Sequence, residues 1–134
     1  MKNNVSNYAL VKQVTTPYAE CVEAIKAALA QQGFGILTEI DVTATLKNKI
    51  DVDYPKTVIL GACNPKLAHQ ALSAKPDVAV LLPCNMVVRE NQQGQVEISA
   101  LNPLFMGEII DQSDVQAVVE QAYQKIKLAM DQVS

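Results

Sequence analysis

From Ser113 onward, Val115, Val118, Val119, Ala122, Ile126, Ala129, Met130 and Val133 fall three or four residues apart. In an α-helix that spacing gathers them into one apolar stripe, and Ser113 is a suitable cap for its start. A helix with one apolar side draws its stability from what that side packs on, so the preceding chain must supply a flat apolar surface. Within 134 residues, 49% hydrophobic and 19% charged, there is room for one core, and a single domain over residues 1–134 is expected. Folding at this length buries roughly 68–70% of the unfolded chain's surface, so no disulfide staple is required.

The surface is read from the strands. Tyr8 to Val14 alternates loosely and predicts a strand. Thr16-Pro17 reads as a hydroxyl cap with proline at the first helical position, opening a helix with the stripe Tyr18, Val22, Ile25, Leu29, widened by Cys21 and Ala28. Gly33 ends it in the left-handed conformation. Ile36 to Val42 is the next strand, with Ile36, Thr38 and Ile40 on one side and Leu37, Glu39 and Asp41 on the other. A helical turn over Thr43 to Ile50 follows, then an apolar strand over Thr57 to Ala62. Asn64-Pro65 caps a helix over Lys66 to Ala74, which Pro76-Asp77 stops. Val78 to Leu82 reads as a buried strand continuing through Pro83-Cys84-Asn85 into Met86 to Glu90, its proline marking an edge or a bulge. Asn91 to Gly94 turns the chain into a last strand, Gln95 to Leu101.

This order predicts an α+β fold in which helices cover one face of a sheet. Leu37, Val58 or Ile59, and the Val78 to Leu82 run leave apolar side chains on both faces, so the other face needs a cover. A homodimer is the simplest cover.

Composition narrows the partners. Eleven Lys and Arg against 14 Asp and Glu give a net charge of −3, and Arg89 is the only arginine. Nucleic acid and anionic membrane surfaces are therefore poor candidates. No apolar stretch is long enough for a signal sequence or a membrane span. Cysteines at 21, 63 and 84 are odd in number and form no C-x-x-C pair, which fits a reducing cytoplasm better than a secreted disulfide framework.

Several residues carry candidate chemistry. Cys63 stands where a strand ends and a helix begins, at the positive end of the helix dipole, which favours thiolate. It is the best nucleophile or soft ligand in the chain. Cys84-Asn85 repeats the pair Cys63-Asn64 at the next break, so neighbouring strands would turn two thiols and two amides to one pocket. With antiparallel strands, their approach depends on register. His69 extends these into a soft ligand set of Cys63, His69 and Cys84, with Glu39 or Asp41 as a fourth donor. Haem on His69, with Met86 or Met106 opposite, has the ligand chemistry but lacks a C-x-x-C-H attachment sequence. Glu39 and Asp41 lie two apart on one strand face, where one carboxylate can raise the other's pKa and make an acid–base pair. Lys47 or Lys49 would neutralise them instead, and acidic edge residues also deter aggregation. Gly33-Phe34-Gly35 lacks the third glycine of a phosphate loop. Cys21 belongs to the helix stripe and the core.

Three blocks together resemble the bacterial and archaeal family called domain of unknown function 302. They are Gly33-Phe34-Gly35-Ile36-Leu37-Thr38-Glu39-Ile40-Asp41, then Ile59 through Leu72 with Cys63-Asn64-Pro65, then Leu81-Leu82-Pro83-Cys84-Asn85. The resemblance spans most of residues 8 to 131. It implies a TBP-like α+β fold, a homodimer and antiparallel middle strands. It places family motifs on Cys63, Asn64 and Pro65, on Pro83, Cys84 and Asn85, and on Glu39 and Asp41, and it brings no established activity. The chain departs from the pattern at Ile50-Asp51, where Leu-Gly is common, and at Asn102-Pro103, where Asp-Pro is common.

The leading expectation is a small cytoplasmic homodimeric module that binds a small ligand, a soft metal or haem through Cys63, Asn64, His69, Cys84 and Asn85, with thiol redox chemistry within reach. Its rivals are an enzyme using Glu39 and Asp41 as acid and base, and a scaffold or partner-binding dimer. No cofactor is assigned.

Overall fold

A computed structural model of the chain describes residues 7–110 and 113–134. Five strands form one antiparallel sheet: β1 (Ala9–Val14), β2 (Gly35–Asp41), β3 (Thr57–Cys63), β4 (Cys84–Glu90) and β5 (Val96–Leu101). Their order across the sheet is β1-β5-β4-β3-β2. The described helices are α1 (Tyr18–Gln31), α2 (Val42–Ile50), α3 (Pro65–Ala74), a 3-10 helix (Pro76–Leu81), α4 (Pro103–Ile109) and α5 (Ser113–Asp131). The α+β reading with helices on one sheet face holds.

The pleat explains which face is covered. Val58, Leu60 and Ala62 of β3, Met86 and Val88 of β4, and Val96, Ile98 and Ala100 of β5 point one way and are buried. Against them pack Cys21, Ile25 and Leu29 of α1 with Ile126, Ala129 and Met130 of α5. The amino-terminal half of α5 enters a second, smaller core, in which Val115, Val118 and Val119 meet Leu67 and Ala71 of α3, Val78 of the 3-10 helix and Met106 of α4. The stripe of α5 thus serves two cores in succession. Fully burying one large aliphatic side chain contributes about 1.5–3 kcal/mol.

Local signals act as the sequence indicates at Asn64 and Gly33. Asn64 accepts from Leu67 N–H at 3.3 Å, Pro65 begins α3, and Gly33 has φ +87° after α1. Thr16 behaves otherwise. Its hydroxyl does not cap α1 but donates to the Ser134 carbonyl at 2.8 Å, to which Thr15 and Thr16 also give their backbone N–H groups at 3.0 and 3.1 Å. The Lys12 ammonium donates to the carbonyl oxygens of Met130 at 3.0 Å and Val133 at 2.5 Å. A cation at this end of α5 meets the negative end of the helix dipole.

Three expectations are corrected. Val78 to Leu82 is not a strand: it lies in and just after the 3-10 helix, with Val78 buried and Val80 85% exposed. Both sides of β3 are already occupied by β2 and β4, and the run is bounded by Pro76 and Pro83, which cannot donate to a ladder. Pro83 therefore precedes β4 rather than interrupting a strand, and the Leu82–Pro83 bond is cis. In β2 the register shifts between Ile36 and Thr38, leaving Leu37 as an extra residue. Ile36 consequently shares the covered face with Glu39 and Asp41, while Thr38 and Ile40 face the open side. Finally, α4 lies where no helix was expected. Asn102 starts it by accepting from Leu104 N–H at 3.0 Å, with Pro103 at its first position.

Candidate functional site

Ala62 stands opposite Cys84 across the β3–β4 ladder, so the two Cys-Asn corners do meet, at one end of the sheet. They do not share a pocket. Cys84 pairs with a buried residue and faces the helices, whereas alternation turns Cys63 and Asn85 to the open face. Gly61 lies beside them there, closely approached by Thr38 and Pro83.

Asn64 is buried, and its amide is already engaged. Besides accepting from Leu67, it donates from Nδ2 to the Gln32 carbonyl at 3.2 Å, joining the start of α3 to the end of α1. A Cβ at Gly33 would stand 3.1 Å from that Nδ2, so close approach as well as positive φ favours glycine. Asn64 therefore acts in the scaffold around the candidate site.

Cys84 lines a cavity of about 50 Å³ together with Phe34, Leu67, Ala71, Met106 and Ala122. Burial, and secondarily repulsion from the nearby Cys63, push the Cys84 pKa up to about 11. The thiol is neutral at physiological pH, the opposite of an activated nucleophile. Sequence reasoning missed the contributions of α4 and α5 to this cavity. Asn102-Pro103, a repeat of the Asn64-Pro65 start signal, was the cue for α4.

His69 is not part of this site. It is exposed on α3, two residues from each of the buried Leu67 and Ala71, and borders a shallow groove with Ser113 and Asp114 of α5. Among the described residues, no three of His, Cys, Asp and Glu are placed to hold a metal ion. The set Cys63, His69, Cys84 is thus dispersed over the open face, the helix surface and the cavity. Of the residues considered for haem, Met86 is a core residue of β4 and Met106 a core residue of α4, whereas His69 is exposed.

Glu39 and Asp41 do share a face of the outer strand, but each is engaged separately. Lys26 of α1 holds Glu39 at 2.7 Å, and Asp41 caps α2 by accepting from Ala44 N–H at 3.0 Å. Lys47, one of the two neutralising cations expected with Lys49, pairs instead with Asp51 and Asp53, each at 3.1 Å. The acidic edge is felt by Tyr18, whose pKa is raised first by burial and then by the charges of Asp41, Glu39 and Glu90.

The comparisons with known proteins bear directly on this geometry. Residues 10–133 match the model of the domain of unknown function DUF302. The chain belongs to the DUF302 family. A crystal structure of an uncharacterized conserved protein DUF302 from Bacillus stearothermophilus is similar over 96% of this chain and 100% of its own, at 25% identity and a TM-score of 0.89. No curated protein matches. Membership of DUF302 supports the fold and attaches no chemistry to Cys63, Cys84 or the acidic strand.

Proposed function

We propose that this DUF302 chain is a binding module that works as a homodimer, joined through the open face of its sheet. The supporting observation is a row that crosses all five strands. Val11 is opposite Ser99, Ser99 opposite Val87, Val87 opposite Ile59, and Ile59 opposite Ile40. Four of its five members are apolar, and the two ends, Val11 and Ile40, are 41% and 47% exposed. A largely apolar row across a sheet face, broken here at Ser99, characterises an interaction surface more than scattered exposed residues do.

The occupant that fits is a second copy. In the adjoining row Arg89 and Glu97 neutralise each other at 3.1 Å, so the face offers no charge for an acidic or basic partner to read. A stripe running across the sheet is self-complementary under a two-fold axis, which brings stripe onto stripe. Cys63 and Asn85 lie on this same face, so a small ligand held by them would be held between copies. The three free cysteines fit a cytoplasmic setting. Among the described residues no helix is long and apolar enough to cross a membrane.

Sedimentation velocity tests the reading. The wild-type chain should sediment with twice the monomer mass, and the pair Val11→Lys and Ile40→Lys should give a folded monomer with an unchanged circular dichroism spectrum. A wild-type chain that stays monomeric at hundreds of micromolar would falsify the proposal.

A further inference from the structure

The cavity behind Cys84 lies on the covered side of the sheet, away from the face through which copies are proposed to join. It forms where the two cores meet. Phe34 belongs to the larger core, Leu67, Ala71, Met106 and Ala122 to the smaller one, and Cys84 closes the wall at the start of β4. Its walls from α3 and α5 combine the small side chains of Ala68, Ala71 and Ala122 with the larger Leu67, Val118 and Val119. The one amide in the wall is turned to other partners, Asn64 accepting at Oδ1 from Leu67 N–H and donating from Nδ2 to the Gln32 carbonyl. Among the described lining residues, the Cys84 thiol and the Met106 thioether are then the weakly polar side chains of the wall.

A cavity without polar partners does not hold water well, because a buried water needs two to four hydrogen bonds. It does accept apolar guests, which lose nothing by leaving water and gain dispersion contacts with the wall. We infer that this cavity is a binding site for an uncharged, apolar molecule of a few heavy atoms, with the Cys84 thiol as a weakly polar contact in its wall. A neutral thiol is a soft, polarizable neighbour that suits an apolar or sulfur-containing guest. A charged guest is excluded, because nothing in the wall would replace its hydration.

Xenon and dimethyl sulfide are suitable probes, with acetate as a charged control of similar size. In methyl carbon–proton NMR spectra, xenon should produce shifts that saturate with pressure and concentrate on Leu67, Val78, Val118 and Val119. Dimethyl sulfide should move the same methyls and raise the melting temperature, whereas acetate should do neither. Ala122→Val, which fills the space, should abolish the saturable shifts. Cys84→Ala, which enlarges the space while keeping it apolar, should preserve them and provides a check if the filled variant folds poorly. Xenon shifts that grow linearly and spread over surface methyls would overturn the inference. So would saturable shifts that survive in a folded Ala122→Val protein, or an equal response to acetate.

Discussion

Asn64 shows how a side chain singled out for chemistry can be occupied with architecture. Its two hydrogen bonds fix the start of α3 against the end of α1, and both are buried enough that deletion leaves orphaned partners. Asn64→Ala should therefore cost about 1–2 kcal/mol, measured as a lower urea midpoint. Asn64→Asp should recover the cap but lose the bond to Gln32, and fall between the two. Cys84 yields a pH test. Its folded-state pKa is raised from 9.0 to about 11, so the native state holds the thiol proton more tightly than the unfolded chain does. The associated stability is complete below pH 9 and disappears as pH rises through about 11. Between those limits wild type should lose about 2 kcal/mol more than Cys84→Ala, read from urea titrations at each pH. The repeated Cys-Asn pair made Cys84 a candidate. The sign of its perturbation was hidden, because it depends on α4 and α5 closing over the thiol from distant parts of the chain.

At the scale of elements, α2 and the β2–β3–β4 junction are the most instructive. Helix α2 ends at Asp51, which adopts φ +54°, a left-handed conformation that glycine takes without steric cost. Its pairing with Lys47 is exposed and worth little. Asp51→Gly should thus raise stability by about 0.5–1 kcal/mol, visible as a higher melting temperature. Gly61 is the opposite case. A Cβ there would collide with Thr38 Oγ1 and stand 2.9 Å from Pro83 Cγ, so Gly61→Ala should destabilise by about 1–3 kcal/mol. Adding Thr38→Ala should return part of the loss, and strict additivity in that double-mutant cycle would refute the contact. Elements with a full period of pattern, such as α1 and α5, were legible from their residues alone. The bulge at Leu37 was not, because a one-residue shift leaves the alternation of Thr38 to Asp41 intact while exchanging its faces relative to Ile36. Val78 to Leu82 misled for a different reason: a short apolar run does not distinguish strand from helix, and both places beside β3 are taken by β2 and β4.

For the whole molecule, the division of α5 between two cores predicts uneven stability. The larger core joins α1, the sheet and the second half of α5, while α3, the 3-10 helix and α4 rest on the smaller one and its cavity. Backbone amides of α3 and α4 should exchange hydrogen through local opening, well before those of β3 and β4, which should require global unfolding. The fold class was readable from strand alternation and the final helix. The dispersal of Cys63, His69 and Cys84 was not, since their distances depend on register and on which side of α3 packs inward. The clasp between Lys12 and the carbonyls of Met130 and Val133 ties the edge strand β1, which among the described strands pairs with β5, to the last turn of α5. Peeling away either one frees the other, so the two should fray as a unit.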